Sequence, residues 1–194
     1  MAYNFEHLLA DSARVHGHLC PGQVLGVRMS ILGLTKIGID DPRGRQRKDL
    51  IVYVEIDRCA TDAISSVTGC TLGHRTLKYV DYGKMAATFL NLKTNYALRI
   101  VALEEARQIA KNRFPHIEDQ MQAQCEAYKV MADEELFSWT EVSVGIRQDD
   151  MPGRPLRRVV CSRCGEHVQD GRECMDDGSI FCVACCKGAY YTVI

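Results

Sequence analysis

The sequence predicts an α+β fold: a mixed helix and sheet core followed by a small cysteine-rich module. Three observations carry this. Apolar residues recur with helical spacing at both ends of the first 148 residues, and β-branched runs cluster between them. Prolines, a glycine and an acidic pair interrupt the chain from Asp149 to Pro155. Six of the ten cysteines lie beyond that break, between Cys161 and Cys186. The expected organisation is a core over 1–148, a linker over 149–158 and a metal-binding module over 159–194.

Each element has its own signal. Phe5, Leu8, Leu9 and Val15 are spaced as in a helix over 3–15. A second helix over 21–37 begins with Pro21, whose missing N–H suits a first helical position, and Gly38 stops it. Its apolar face is wide, built from Val24, Leu25, Val27, Ile31, Leu32 and Leu34. Residues 50–56 are rich in β-branched side chains and read as a buried strand. A turn over 57–61 leads to a short helix over 62–68, with Gly69 after it. Strands are expected over 76–82, 85–91 and 97–101. Helices follow over 103–112 and 117–132, and a last strand over 141–146. The run Arg43-Gly44-Arg45-Gln46-Arg47-Lys48 reads as a solvated loop.

Bulk composition excludes several function classes. The chain has 194 residues, 46% hydrophobic and 25% charged, with a formal net charge of −1. That balance makes nucleic acid an unfavoured partner and gives no electrostatic case for a membrane surface. No apolar run approaches the roughly 20 residues of a membrane-spanning helix. The first residues lack the basic and apolar stretches of an export signal, so a cytoplasmic location is expected. In a reducing compartment, ten cysteines point to metal ligation more than to disulfides.

The densest chemistry lies in His16-Gly17-His18-Leu19-Cys20-Pro21-Gly22. Two imidazoles and a thiol within five residues are ligands for soft or borderline divalent ions. Cys20 sits at the start of a helix, whose partial positive charge favours thiolate. Cys59 lies just past a strand end, and Cys70 just beyond a short helix. Chain reversal can return both toward the His16/His18/Cys20 loop. The candidate core metal ligands are His16, His18, Cys20 and Cys59. Cys20 and Cys59 double as candidate catalytic thiols, with Asp62 and Lys84 secondary. Each also has a plainer reading: a satisfied histidine, a buried thiol, a helix N-terminal acid, a solvated lysine.

The tail spacing is C-x2-C-x17-C-x2-C, through Cys161, Cys164, Cys182 and Cys185. Paired thiolates on two turns complete a tetrahedron around Zn2+. So short a segment buries too little apolar surface to fold unaided, so the ion supplies much of its folding free energy. Knuckle, hairpin and helix-borne pair resemble a treble-clef zinc finger. Iron in a four-thiolate site is the alternative. Cys174 and Cys186 are surplus to the tetrahedron, and His167 fits the spacing less well.

In combination, four stretches resemble the signatures of the FmdE-like family, which is named for its association with formylmethanofuran dehydrogenase. They are His16 to Gly22, Cys59 with Asp62-Ala63-Ile64, Thr68-Gly69-Cys70-Thr71-Leu72-Gly73, and Asp81-Tyr82-Gly83-Lys84. The resemblance spans roughly residues 5–146. It implies an α+β core with these motifs gathered in a cleft, a homodimer, and a link to anaerobic, methanogenesis-related one-carbon metabolism through a molybdenum or tungsten enzyme. Some relatives carry a C-terminal zinc finger. His74-Arg75 stands where many relatives have lysine and glycine after the loop, so His74 is a local departure.

Two functions follow as expectations. One is a metal-dependent enzyme or accessory component of that dehydrogenase, with a second divalent ion in the core. The other is a non-catalytic metal or cofactor carrier, or a zinc-finger adaptor. Neither residue pattern names a substrate.

Overall fold

The computed structural model describes residues 3–194. Two compact units divide after Gly145, the second running Ile146–Ile194.

The first unit is a five-stranded mixed sheet with helices, in the α+β class. Its elements are α1 (Phe5–His16), α2 (Pro21–Lys36), β1 (Leu50–Val54), α3 (Cys59–Thr68), β2 (Leu77–Tyr79), β3 (Ala86–Asn91), β4 (Tyr96–Ala102), α4 (Glu105–Arg113), α5 (Gln120–Val130), α6 (Asp133–Leu136) and β5 (Phe137–Val142). The strand order is β2-β1-β3-β4-β5. Only β1 and β2 are parallel, joined through α3. The other neighbours are antiparallel.

α2 is the central helix. Val24, Val27 and Leu34 are fully buried, and so are the polar Gln23 and Ser30. A helix apolar on most sides belongs inside a core. Its glycines permit close neighbours. A Cβ at Gly33 would meet the Phe89 ring at 2.4 Å, and one at Gly26 would meet the Ala60 carbonyl oxygen and the Ala63 Cβ at 2.6 Å. Gly26→Ala is therefore expected to destabilise the protein by about 1–3 kcal/mol, the usual range for overpacking. The gain of about 1 kcal/mol in helix propensity does not offset a backbone clash. Urea unfolding of the full chain, read by circular dichroism, checks this; an unchanged midpoint would contradict it.

Just past β1, Glu55 is buried and receives two bonds from Arg99 of β4, at 2.7 and 2.6 Å. Removing one partner of such a pair leaves the other uncompensated, which costs roughly 3–5 kcal/mol in buried cases. Arg99 is partly exposed, so Glu55→Ala is expected near the low end. Thermal unfolding measures it.

The largest departures from the sequence reading are two boundaries and one added helix, alongside trimmed ends such as β2, Leu77–Tyr79 against an expected 76–82. α3 begins at Cys59 rather than at 62, because Ala60 and Ala63 dock against Gly26 and start the helix earlier. The last strand runs Phe137–Val142 rather than 141–146, because Phe137 is buried and pairs with Ala102. A short helix, α6, stands between α5 and that strand, held by the Ala132 N–H donating to the Glu135 carboxylate at 2.8 Å.

The second unit opens with a 3-10 turn at Gln148–Asp150. Two hairpins follow, β6 (Arg158–Val160) with β7 (His167–Gln169), and β8 (Glu173–Asp176) with β9 (Ser179–Cys182). α7 (Val183–Lys187) closes it. Among the described residues no helix is long and apolar enough to cross a membrane.

Candidate metal centres

Three helix ends converge in the core. Asn4 caps α1 by accepting the His7 N–H, and Gly17, at φ 98°, ends it. Glycine adopts that left-handed conformation without a side-chain penalty. His16 is thus the last residue of a rigid helix, whereas His18 lies beyond the turn. Cys20 is the N-cap of α2, with Pro21 next to it, as the sequence predicts. Cys59 is the first residue of α3, immediately past the sheet.

One ligand atom from each of His16, Cys20 and Cys59 lies within 4.8 Å of the others. Asp62, one turn along α3 from Cys59, meets His16 Nδ1 at 2.8 Å. A carboxylate only accepts, so in the neutral imidazole Nδ1 carries the proton and Nε2 holds the lone pair. Nε2 is buried and has no hydrogen-bond partner. Such an orphan is costly inside a protein unless something binds it. A carboxylate fixing the tautomer of a ligating histidine is a recurrent feature of metal sites.

Cys20 is 4% exposed. Burial, then a hydrogen bond to Cys20, pushes the Cys59 thiol up from its ordinary pKa. Gln23 links the parts: it accepts from Ser12 Oγ and donates to the Cys59 carbonyl at 2.6 Å. This buried chain ties α1, α2 and α3 together at the site. Sequence reasoning missed Gln23, whose only signal was a polar residue on an apolar helix.

The remaining candidates lie outside the three-ligand group. His18 is exposed, and its ring stacks against His16 at 4.7 Å between centroids. Lys84 is in the β2–β3 turn with its ammonium over the Tyr82 ring. Cys70 is buried in the main core, its thiol pushed up by burial against hydrogen bonds from Thr68 and Thr76. His74 is exposed in the following turn. Cys125, which the sequence reading passed over, is buried on α5, against α2. Burial foremost, and then Cys20, raise its pKa to about 11. Its signal was a cysteine on the inward side of an amphipathic segment.

In the second unit, Cys161, Cys164, Cys182 and Cys185 bring their sulfurs within 4.8 Å of one another. This cluster could hold a metal ion, consistent with a small zinc-binding module. Gly165, at φ 76°, turns the first knuckle, and its N–H bonds to the Cys161 carbonyl at 2.9 Å. Backbone N–H groups of Cys164 and Cys182 lower the Cys161 pKa to about 6. A thiol bond with Cys182, and then burial, lifts Cys185 to about 12. The Cys185 N–H also donates to Cys182 Sγ at 3.4 Å. His167 is on exposed β7, outside the group.

Comparison with known proteins bears on family and fold. A family model described as "FmdE, Molybdenum formylmethanofuran dehydrogenase operon" matches residues 15–138. A "Probable S-adenosyl-L-methionine-binding protein" of Archaeoglobus fulgidus is 30% identical over 205 aligned positions, covering 96% of this chain and 54% of that protein. The chain thus spans about half the length of this curated relative. A crystal structure of a tungsten formylmethanofuran dehydrogenase FmdE-like protein from Syntrophus aciditrophicus shares the fold. Its TM-score is 0.63 at 20% identity, over 98% of this chain and 96% of that one. The matched span takes in His16, Cys20, Cys59 and Asp62, and with it the chain belongs to the FmdE family.

Proposed function

We propose that this is a metal-binding accessory protein working beside a molybdenum- or tungsten-dependent formylmethanofuran dehydrogenase, as a homodimer in the cytoplasm. The buried, unpartnered Nε2 of His16, on a ring with a ligand atom within 4.8 Å of two thiols, carries the reading. Two sulfurs and one imidazole suit a soft or borderline divalent ion. Three protein ligands are the number that leaves an open position, as in catalytic rather than structural sites. An ion held there supplies a Lewis-acid position for an oxygen-bearing one-carbon group. His16, Cys20 and Cys59 hold it, Asp62 fixes the imidazole, and Gln23 fixes the Cys59 backbone.

The tail supports a different role. Four thiols make a closed set, which suits structural Zn2+ and a platform for docking a partner enzyme. Under this second reading the chain is a non-catalytic metal carrier with the core ion as cargo, or a zinc-finger adaptor that needs no core ion.

Asp62→Asn separates the core site from the tail. Loss of a supporting carboxylate typically weakens metal binding about 10–100-fold. The expected result is that loss for one equivalent of metal per chain, with the tail equivalent unchanged. Competition titration of anaerobically purified protein with Zn2+, Ni2+ and Fe2+ reads both. Equal affinities in both proteins would move the core site elsewhere and favour the adaptor.

A further inference from the structure

Two loops of the first unit meet at the end of the sheet away from the core site. The loop over 41–49 leads into β1, and the turn over 71–76 leads into β2, which runs parallel beside it. α3 spans the distance between site and loops. It starts at Cys59 and ends at Thr68, about 15 Å along its axis at the usual rise per residue. Just beyond it, a Cβ at Gly69 would meet the Arg43 side chain at 3.1 Å, so the two loops touch.

Charge on the first loop is sorted, with acids turned inward and cations outward. Asp41 accepts the N–H groups of Gly44 and Arg45 at 3.0 and 2.9 Å. Asp49 is mostly buried and is held by Lys93 at 3.0 Å. Arg43, Arg45, Arg47 and Lys48 are all exposed. Among the described residues no ion pair joins any of these four to an acid. Asp40, just before the loop, is an exposed acid. The loop is also fixed in shape. Gln46 accepts the N–H groups of Asp40 and Asp41 at 2.9 and 3.0 Å and donates to the Gly38 carbonyl at 3.4 Å. Like charges held this close repel one another, and the backbone keeps them together without a compensating acid.

The second loop is equally tight. The Thr71 carbonyl accepts the N–H groups of Thr76 and Leu77 at 3.2 and 3.1 Å, and the Arg75 N–H bonds to the Leu72 carbonyl at 2.9 Å. On this turn Leu72 is 65% exposed. A lone exposed leucine is ordinary. Beside a rigid cationic loop, it supplies the apolar centre that a charged rim lacks.

We propose that the loops over 41–49 and 71–76 form a docking surface for an acidic partner protein, with Leu72 as its apolar anchor and Arg43, Arg45, Arg47 and Lys48 as its charged rim. Guanidinium forks match carboxylates with paired hydrogen bonds. Loops already fixed lose little freedom on binding. A small anion needs a concave pocket, whereas these loops are exposed. A nucleic-acid strand needs aromatic platforms for its bases, and neither loop contains Phe, Tyr or Trp. A duplex backbone gains nothing from Leu72. The surface lies on the core unit and is independent of the metal reading.

The test uses the full chain and two fluorescent glutamate-rich peptides, identical except for a central phenylalanine or serine. A labelled DNA duplex is the third probe. Anisotropy is read at about 50 and about 150 mM salt, which screens exposed charge to different extents. Both peptides are expected to bind and to weaken with salt. The phenylalanine peptide should bind about threefold tighter or more, the worth of a partly buried apolar side chain. Leu72→Ser should erase that preference and spare the serine peptide. Changing Arg43, Arg45 and Arg47 together to Gln should weaken both peptides about tenfold, since each exposed ion pair is worth a few-fold at most. Binding should be the same with and without added Zn2+, so loss of the metal reading leaves this result standing. A benzophenone on the phenylalanine peptide should cross-link the unaltered chain within 41–49 or 71–76, which decides the matter even where a variant fails to fold. Absence of peptide binding at the lower salt would overturn the proposal, as would cross-links elsewhere. Equal binding of the two peptides would reduce the surface to a general polyanion site and refute the anchor. Tighter binding of the duplex would assign the surface to nucleic acid instead.

Discussion

Cys182→Ser is expected to release the tail's ion and unfold residues beyond 158 while the core stays native. Cys182 serves the module two ways. Its sulfur is one of the four converging ligands. It also caps α7 by accepting the Cys185 N–H. The tail's strands are only three or four residues long and α7 has five residues. Little apolar surface is buried there, so a bound ion would dominate the module's stability. Apparent binding energies of structural zinc in finger peptides are about 10–16 kcal/mol, more than so small a unit can lose and stay folded. Binding also displaces protons. Cys161, held to about 6, is largely ionised at neutral pH, whereas Cys185, near 12, must give up its proton. Affinity therefore falls as pH falls, and fewer than four protons leave per ion at pH 7. Calorimetry in buffers of different ionisation enthalpy counts them. Retention of one full equivalent of zinc by a folded Cys182→Ser tail would defeat the assignment.

The second large effect separates the two histidines. His16→Ala is expected to abolish core metal binding, a loss beyond the roughly 10–100-fold that follows removal of a supporting carboxylate. His18→Ala is expected to leave the affinity near that of the unaltered chain, because His18 lies outside the three-ligand group. Stability gives a second readout. His16→Ala removes a buried unpartnered nitrogen, so the metal-free protein should lose less stability than truncating a satisfied buried histidine would cost. Equal metal loss in both variants would place His18 in the site.

The contrast between these histidines shows where sequence reading stops. The cluster of ligand types around His16 was legible, as were the helix start at Pro21, the strand expected over 50–56, which runs Leu50–Val54, and the four tail thiols. These rest on local signals: spacing, propensity and capping. Which imidazole joins the thiols depends on where α1 ends, at His16 with Gly17 as its cap. Asp62 was legible as an acid at a helix start, but its bond to His16 spans 46 positions and has no local trace. Cys125 is similar, since only the packing of α5 on α2 brings it near Cys20. The register of β5 was misplaced because burial of Phe137 outweighs the stronger alternation of 141–146.

One consequence of the α3 geometry concerns how an ion would leave the core. Cys59 and Asp62 occupy the same helical turn, and Ala60 between them is wedged against Gly26. A ligand and the group that orients another ligand therefore move as one rigid body. Partial undocking of α3 from α2, a sub-global opening of the kind that hydrogen exchange detects, would displace both groups at once. Ion residence time should then track the protection of the α3 amides, which makes the packing of two small residues the clock of the site.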